Sequence, residues 1–283
     1  MRIRSLGRPA AILVAGALLA TACSSDDADP VEDPSEEMTD DSTDAPTDDM
    51  TDAMGEFTTI TEGALTVCSD IPYAPFEFEE EGTATGYSGF DVEIMEGIAA
   101  SMDLDLVISV TGFDAIQSGT ALAAGACDVA ASAMTITPER EENVDFTDPY
   151  FDADQSLLVK GDSGIVDLAT LEGALGVQAD TTGQTYAEEN FDGDIIEFPG
   201  AAELFAALEA GTVVGILQDL PVNVDRAQQD ASVSVVATFA TGEQYGFAVT
   251  EGNAELLAAL NAGLADMRAD GSYDAIYASY FEA

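Results

Sequence analysis

From Ala64 onward, apolar runs of strand length alternate with stretches of helical spacing, and the whole alternation occurs twice. In the first pass, "ALTVCSD" (64–70) reads as a strand and "DVEIMEGIAASM" (91–102) as a helix, with apolar residues at Val92, Ile94, Met95, Ile98, Ala99 and Met102. "DLVISV" (105–110) is a second strand, "FDAIQSGTALAAG" (113–125) a helix stopped at Gly125, and "CDVAASAM" (127–134) a third strand. In the second pass, "LATLEG" is a short helix. Strands at "ALGVQAD" (174–180), "DIIEFP" (194–199) and "VVGILQD" (213–219) then alternate with helices at "TTGQTYAEEN" (181–190), "AAELFAALEAG" (201–211) and "LPVNVDRAQQ" (220–229). An extended run over 234–250 and two closing helices follow. Strands alternating with helices demand a parallel sheet covered by helices, so the chain is α/β. Two such units of roughly a hundred residues each suggest two lobes with a cleft between them. Ligands in open α/β sheets bind beyond the carboxyl ends of the strands.

What precedes Ala64 is of a different kind. "MRIRSLGRPAAILVAGALLATACSS" has Arg2, Arg4 and Arg8, then an apolar run from Ala10 to Ala20. That run is shorter than the ~20 apolar residues a span needs and suits a signal peptide. It ends in small residues before Cys23, which resembles the lipobox of bacterial lipoproteins. The resemblance implies a signal peptide over 1–22 and lipid attachment at Cys23, so that the mature chain is anchored on the outer face of the cytoplasmic membrane, on its periplasmic or extracellular side. An ordinary signal peptide cut nearby is the alternative. Residues 23–56 are Asp, Glu, Ser, Thr and Pro with almost nothing apolar to bury. Such a segment cannot offset the entropy of ordering, so a disordered acidic tether is expected.

The full chain carries 7 Lys+Arg against 55 Asp+Glu, a formal net charge of -48. That balance excludes nucleic acid as a partner, since binding it needs a basic patch. Dense carboxylates with few lysines point instead to adaptation to high salt. There is no histidine. No zinc pattern, phosphate loop or nucleophile–base pair is evident, and no cofactor is expected. Cys68 and Cys127, placed at opposite ends of adjacent straight strands, would lie beyond the ~7 Å Cα limit for a disulfide, so two buried free thiols are expected.

Several segments resemble family 3 extracellular solute-binding proteins, the polar amino acid receptors of ABC importers. They are "GFDVEIMEGIAASM" (89–102), "MTITPER" (134–140), "VDFTDPYF" (144–151), "GVQADTTGQTYAEEN" (176–190), "LQDLPV" (217–222), "EQYGFAV" (243–249) and "ADGSYDAIYASYF" (269–281), in that order. The resemblance implies a two-lobed, type II periplasmic-binding-protein-like fold, each lobe a mainly parallel sheet flanked by helices, joined by two hinge strands. Lobe 1 would comprise 57–150 and 247–283. Residues 151–246 would form the hinge and lobe 2, with crossings near Tyr150–Asp154 and Glu243–Gly246. It also implies capture of a polar amino acid by a monomer that docks on an ABC transporter permease, with no chemistry of its own.

A zwitterion needs one cation and one anion at fixed spacing. The resemblance places Arg140 on the ligand α-carboxylate, which its planar fork suits, and Asp219 on the α-ammonium. Thr135 would add a hydroxyl and a backbone N–H beside Arg140, and Ser132 and Ala133 backbone groups. Thr181 and Thr182, with Gln178 ahead of them, open a helix whose free N–H groups favour a carboxylate. Asp70, Tyr73 and Phe113 would surround the ligand side chain and suit a cation such as arginine or lysine, or the flat amide of glutamine. The blander readings are a structural salt bridge from Arg140 to Glu139, Glu142 or Asp145, a capping role for Asp219, and core positions for Tyr73 and Phe113. The competing functions are a dehydratase-like enzyme on the same fold and a sensor ectodomain.

Overall fold

A computed structural model of the chain describes residues 57–282. The signal peptide, Cys23 and the acidic tether expected from the sequence lie outside the described residues. The first half runs β1 (Ala64–Ser69), β2 (Phe78–Glu79), β3 (Tyr87–Ser88), α1 (Phe90–Ser101), β4 (Asp105–Val110), α2 (Phe113–Gln117), α3 (Thr120–Ala123), β5 (Val129–Ala130) and β6 (Val144–Phe146). The second half runs β7 (Phe151–Lys160), β8 (Leu175–Gln178), α4 (Thr182–Asn190), β9 (Ile195–Phe198), α5 (Ala201–Ala210), β10 (Gly215–Asp219), α6 (Leu220–Gln229) and β11 (Val233–Tyr245). The chain then adds β12 (Ala248–Thr250), α7 (Ala254–Asp270) and α8 (Ser272–Phe281).

Two five-stranded sheets result, ordered β4-β1-β5-β12-β6 and β11-β7-β10-β8-β9. Each is mainly parallel with one strand reversed. In the first sheet β12 runs against both β5 and β6. In the second, β7 runs against both β10 and β11. The reversed strands belong to the two segments that pass between the sheets. These segments pair with each other, Phe151 opposite Tyr245 and Ala153 opposite Glu243. Helices cover the sheets, giving the two-lobed α/β architecture that the repeated pattern implies.

Local sequence explains the entry and exit of several elements. α1 turns Ile94, Met95 and Ile98 into the core, where they are fully buried with Leu65, Val129 and Leu260. It begins at Gly89, whose φ of 126° and close approach leave no room for a side chain; a Cβ there would lie 2.2 Å from the Phe76 carbonyl oxygen. The single helix expected over 113–125 is two short ones, because Gly119 adopts φ 71° and interrupts the hydrogen-bond ladder. The strand expected over 127–134 is paired only at Val129–Ala130. Beyond it the chain bends away from the sheet, with Ala133 at φ 43°. The run 151–160, read from sequence only as a crossing near its start, is a ten-residue strand.

The expectation of two free thiols fails. Cys68 and Cys127 form a disulfide with a Cα–Cα distance of 5.6 Å. The extrapolation assumed that Cys127 begins a straight strand, but β5 starts only at Val129. Cys127 lies two residues ahead of it, outside the paired strand, and its thiol reaches Cys68, the last residue but one of β1.

Candidate functional site

A small cavity lies between the lobes, and all eleven candidate binding residues read from the sequence line it. Asp70, Tyr73, Phe113, Ser132, Ala133, Thr135 and Arg140 come from the side of the first sheet, and Gln178, Thr181, Thr182 and Asp219 from the second. The two sides touch. Tyr73 donates its hydroxyl to Asp219 at 2.8 Å, Gln178 donates to Asp70 at 2.7 Å, and Arg140 donates to the Asp180 carbonyl at 3.1 Å.

Arg140 opens a single 3-10 turn and is only 5% exposed. One guanidinium nitrogen donates to the Thr135 carbonyl at 2.7 Å, and the group lies over the Phe113 ring at 5.2 Å from its centroid. Among the described residues the ion pair within 4 Å is Arg226–Asp230, so the salt bridge imagined for Arg140 is not formed. Burial draws its ionisation below the ordinary arginine value, while Asp219 and Glu243 at longer range push it back up. The result is a buried cation whose direct partners are two neutral carbonyls and an aromatic face.

Asp219 ends β10 at the N-cap position of α6, yet its side chain makes no capping bond. It accepts instead from Tyr73 and, at 2.5 Å, from Gln155 Nε2. Burial and the neighbouring charge of Glu243 push its carboxyl up to about 6, against the hydrogen bonds that stabilise the ionised form. Asp70, just beyond β1, is likewise pushed up to about 6, chiefly by burial, while the Gln178 bond pulls the other way. Tyr73 and Phe113 are 9% and 8% exposed.

Thr181 is the N-cap of α4, accepting from the Gln184 amide at 3.1 Å, as its position predicts. Gly183 in that first turn packs where a Cβ would sit 2.9 Å from Gln155 Oε1, so glycine lets the helix start approach β10. One expectation for the opposite wall needs correction. The Ala133 amide, expected to face a ligand, donates to Asp91 at 2.8 Å. The Ser132 hydroxyl is committed to Glu77 at 2.6 Å while accepting from the Asp70 amide at 3.0 Å.

Sequence reasoning missed the layer behind the cavity. Glu243, on the return crossing, accepts from Thr135 at 2.8 Å and Thr182 at 2.6 Å, joining the lobes from the hinge side. Gln155 on β7 reaches both Asp219 and Glu243. Glu77 and Asp91 are fully buried. Asp91 and Glu243 lie within the motifs quoted above, but the spacing of apolar residues carries no mark that separates them from surface acids. The arrangement can hold a small zwitterion: a fork-shaped cation, Arg140, and two carboxylates, Asp219 and Asp70, line one cavity.

The family model described as "Bacterial extracellular solute-binding proteins, family 3" matches residues 65–283. The chain is 34% identical over 204 residues to the ABC transporter glutamine-binding protein GlnH of Bacillus subtilis (strain 168), covering 69% of this chain and 72% of that protein. An ancestral arginine-binding protein solved with arginine is 35% identical with a TM-score of 0.71, covering 77% of this chain and 98% of that one. The ancestral arginine-binding protein solved with glutamine is 35% identical with a TM-score of 0.72, covering 79% and 100%. With the match spanning both sheets and every residue of the cavity wall, the chain belongs to the bacterial extracellular solute-binding proteins of family 3.

Proposed function

We propose that this protein is the substrate-binding component of an ABC importer. It captures a polar amino acid between its lobes and delivers it to a permease. The observation that carries the reading is Arg140: a buried guanidinium with no carboxylate within 4 Å among the described residues, on the wall of the cavity that Asp219 also lines. A buried charge costs free energy until it is paired. A ligand α-carboxylate on Arg140 and an α-ammonium on Asp219 pair both at once. The names of the relatives, glutamine-binding and arginine-binding, support an amino acid as the ligand.

Asp70 selects the side chain in this reading. With Tyr73 and Phe113 beside it, it suits arginine or lysine, and its bond from Gln178 mimics the amide that glutamine would offer. Lobe 1 is 57–150 with 247–283, and residues 151–246 hold the hinge and lobe 2. The protein works as a monomer. It is held by a lipid on Cys23 at the outer face of the membrane, with residues 23–56 as spacer.

Thermal shift against the twenty amino acids tests the reading, because a ligand that binds only the folded state raises the melting temperature by mass action. One class of polar amino acid stabilises the protein and is recovered unchanged. Stabilisation by none of them, or turnover of the one that binds, overturns it. Asp70→Asn weakens a cationic ligand more than glutamine; equal effects remove Asp70 from the side-chain pocket.

A further inference from the structure

Behind Ala133 lies a group that the capture mechanism above does not use. Asp91 sits in the first turn of α1, 1% exposed, and accepts the Ala133 amide at 2.8 Å. Its two oxygens also accept from the Tyr150 hydroxyl, each at 2.7 Å. Tyr150 is the residue immediately before β7, where the chain leaves the first lobe. Its own amide donates to the Tyr245 carbonyl of the return crossing at 2.9 Å, and its carbonyl accepts from the Tyr273 hydroxyl of α8. Its ring is stacked on Phe247 at 4.0 Å. The tyrosine is thus clamped to both crossing segments, and Asp91 is clamped to the tyrosine.

We propose that Asp91 is a positioning residue for ligand capture: it holds the left-handed turn at Ala133 against the cavity and, through Tyr150, fixes that turn to the hinge. The inference rests on the amino acid–receptor reading of the cavity. Ala133 at φ 43° is a conformation that an alanine keeps only when its surroundings hold it. The amide–carboxylate bond is the polar contact that does so. Ser132 and Thr135, on either side of the turn, line the same cavity as Arg140. If the turn relaxes, these walls shift relative to Arg140, whose guanidinium is itself braced on the Thr135 carbonyl. The titratable groups facing Asp91 are Tyr150 and Glu77, with Tyr273 behind Tyr150; no described lysine or arginine is within 4 Å of it. Burial pushes its carboxyl up to about 7, with the Ala133 and Tyr150 bonds opposing. The ionised form, a charge-assisted acceptor, holds the turn more strongly.

The test is calorimetric titration of the full chain with L-arginine and L-glutamine across about pH 6 to 8. Asp91→Asn keeps an oxygen acceptor, Tyr150→Phe keeps the ring stack, and Asp91→Ala removes the acceptor. For the probe that binds, affinity falls by about tenfold in Tyr150→Phe and Asp91→Asn and further in Asp91→Ala. In the wild type, affinity rises with pH through about 7, and Asp91→Asn lacks that step while keeping the one near 6 from Asp70 and Asp219. If Asp91→Ala fails to fold, the other two variants decide. Affinities within twofold of wild type with the step near 7 intact overturn the proposal, as does a loss of melting temperature with affinity unchanged. A wild-type protein that binds none of the twenty amino acids overturns the receptor reading and this inference with it.

Discussion

The Tyr73 hydroxyl donates to Asp219 across the cleft at 2.8 Å, so a residue of one lobe already satisfies the anion of the other. The bond holds the cleft closed, and it occupies one face of the group proposed to receive the ligand ammonium.

Tyr73→Phe removes this latch but leaves the ring. A hydrogen bond to a charged group is worth about 1.5–3 kcal/mol, and part of that returns as a freer Asp219. The expected outcome is an affinity for L-arginine or L-glutamine reduced about tenfold, read by calorimetry, with the melting temperature of the ligand-free protein lowered by a few degrees. An unaltered affinity would remove the latch from the mechanism.

Arg140→Ala abolishes binding, a loss of at least about 100-fold, since a paired, charge-assisted contact is lost. The ligand-free protein keeps its fold and does not melt earlier, because an unpaired buried cation is removed with it. Arg140→Lys retains the charge without the fork and regains only part of the affinity. Thermal melts with and without ligand separate these effects.

Acidity acts on stability and binding with opposite signs. Asp70 and Asp219 have folded-state values near 6, above those of the unfolded chain. The folded state therefore holds protons more tightly, and the stability this gives is full below about pH 4 and lost as pH rises through about 6. A ligand ammonium on Asp219 favours the ionised carboxylate, so affinity falls as pH drops through about 6 and binding releases protons. Melting curves and titrations in buffers of different ionisation heat, at pH 5 and pH 8, measure both. High salt in each buffer separates these groups from the general repulsion of a chain with net charge -48.

The Cys68–Cys127 bridge closes a loop with a sequence separation of 59. By chain entropy such a cross-link stabilises by about 4 kcal/mol. Replacing both cysteines with serine lowers the denaturant midpoint accordingly. Ligand affinity changes little, because neither sulfur lines the cavity. A midpoint equal to wild type would mean that the bridge constrains nothing the fold does not already fix.

The repeated strand–helix alternation was enough to read the two sheets, because apolar periodicity records which face of each element is buried. The cavity wall was legible through the family resemblance, which put Arg140, Asp219 and Asp70 around a ligand; Asp70 and Asp219 also follow or end a strand, where α/β sheets bind ligands. The supporting layer was not. Asp91, Glu77 and Glu243 are three acids among 55 Asp+Glu; burial distinguishes the first two, and Glu243 only its contacts with Thr135, Thr182 and Gln155. The disulfide was missed for a related reason. Strand boundaries are set by pairing partners far away in the chain, and β5 is two residues long where its own sequence suggests eight.

The position of β12 governs the order in which the molecule can be built. It lies between β5 and β6 in the first sheet, yet it is made after the whole second sheet. As the chain emerges from the ribosome, β6 has no neighbour to join until residues 248–250 arrive. The second sheet, drawn from one unbroken stretch, has all its strands earlier. Synthesis thus leaves the first lobe open along one seam until the end, and the last strand to appear is the one that seals it.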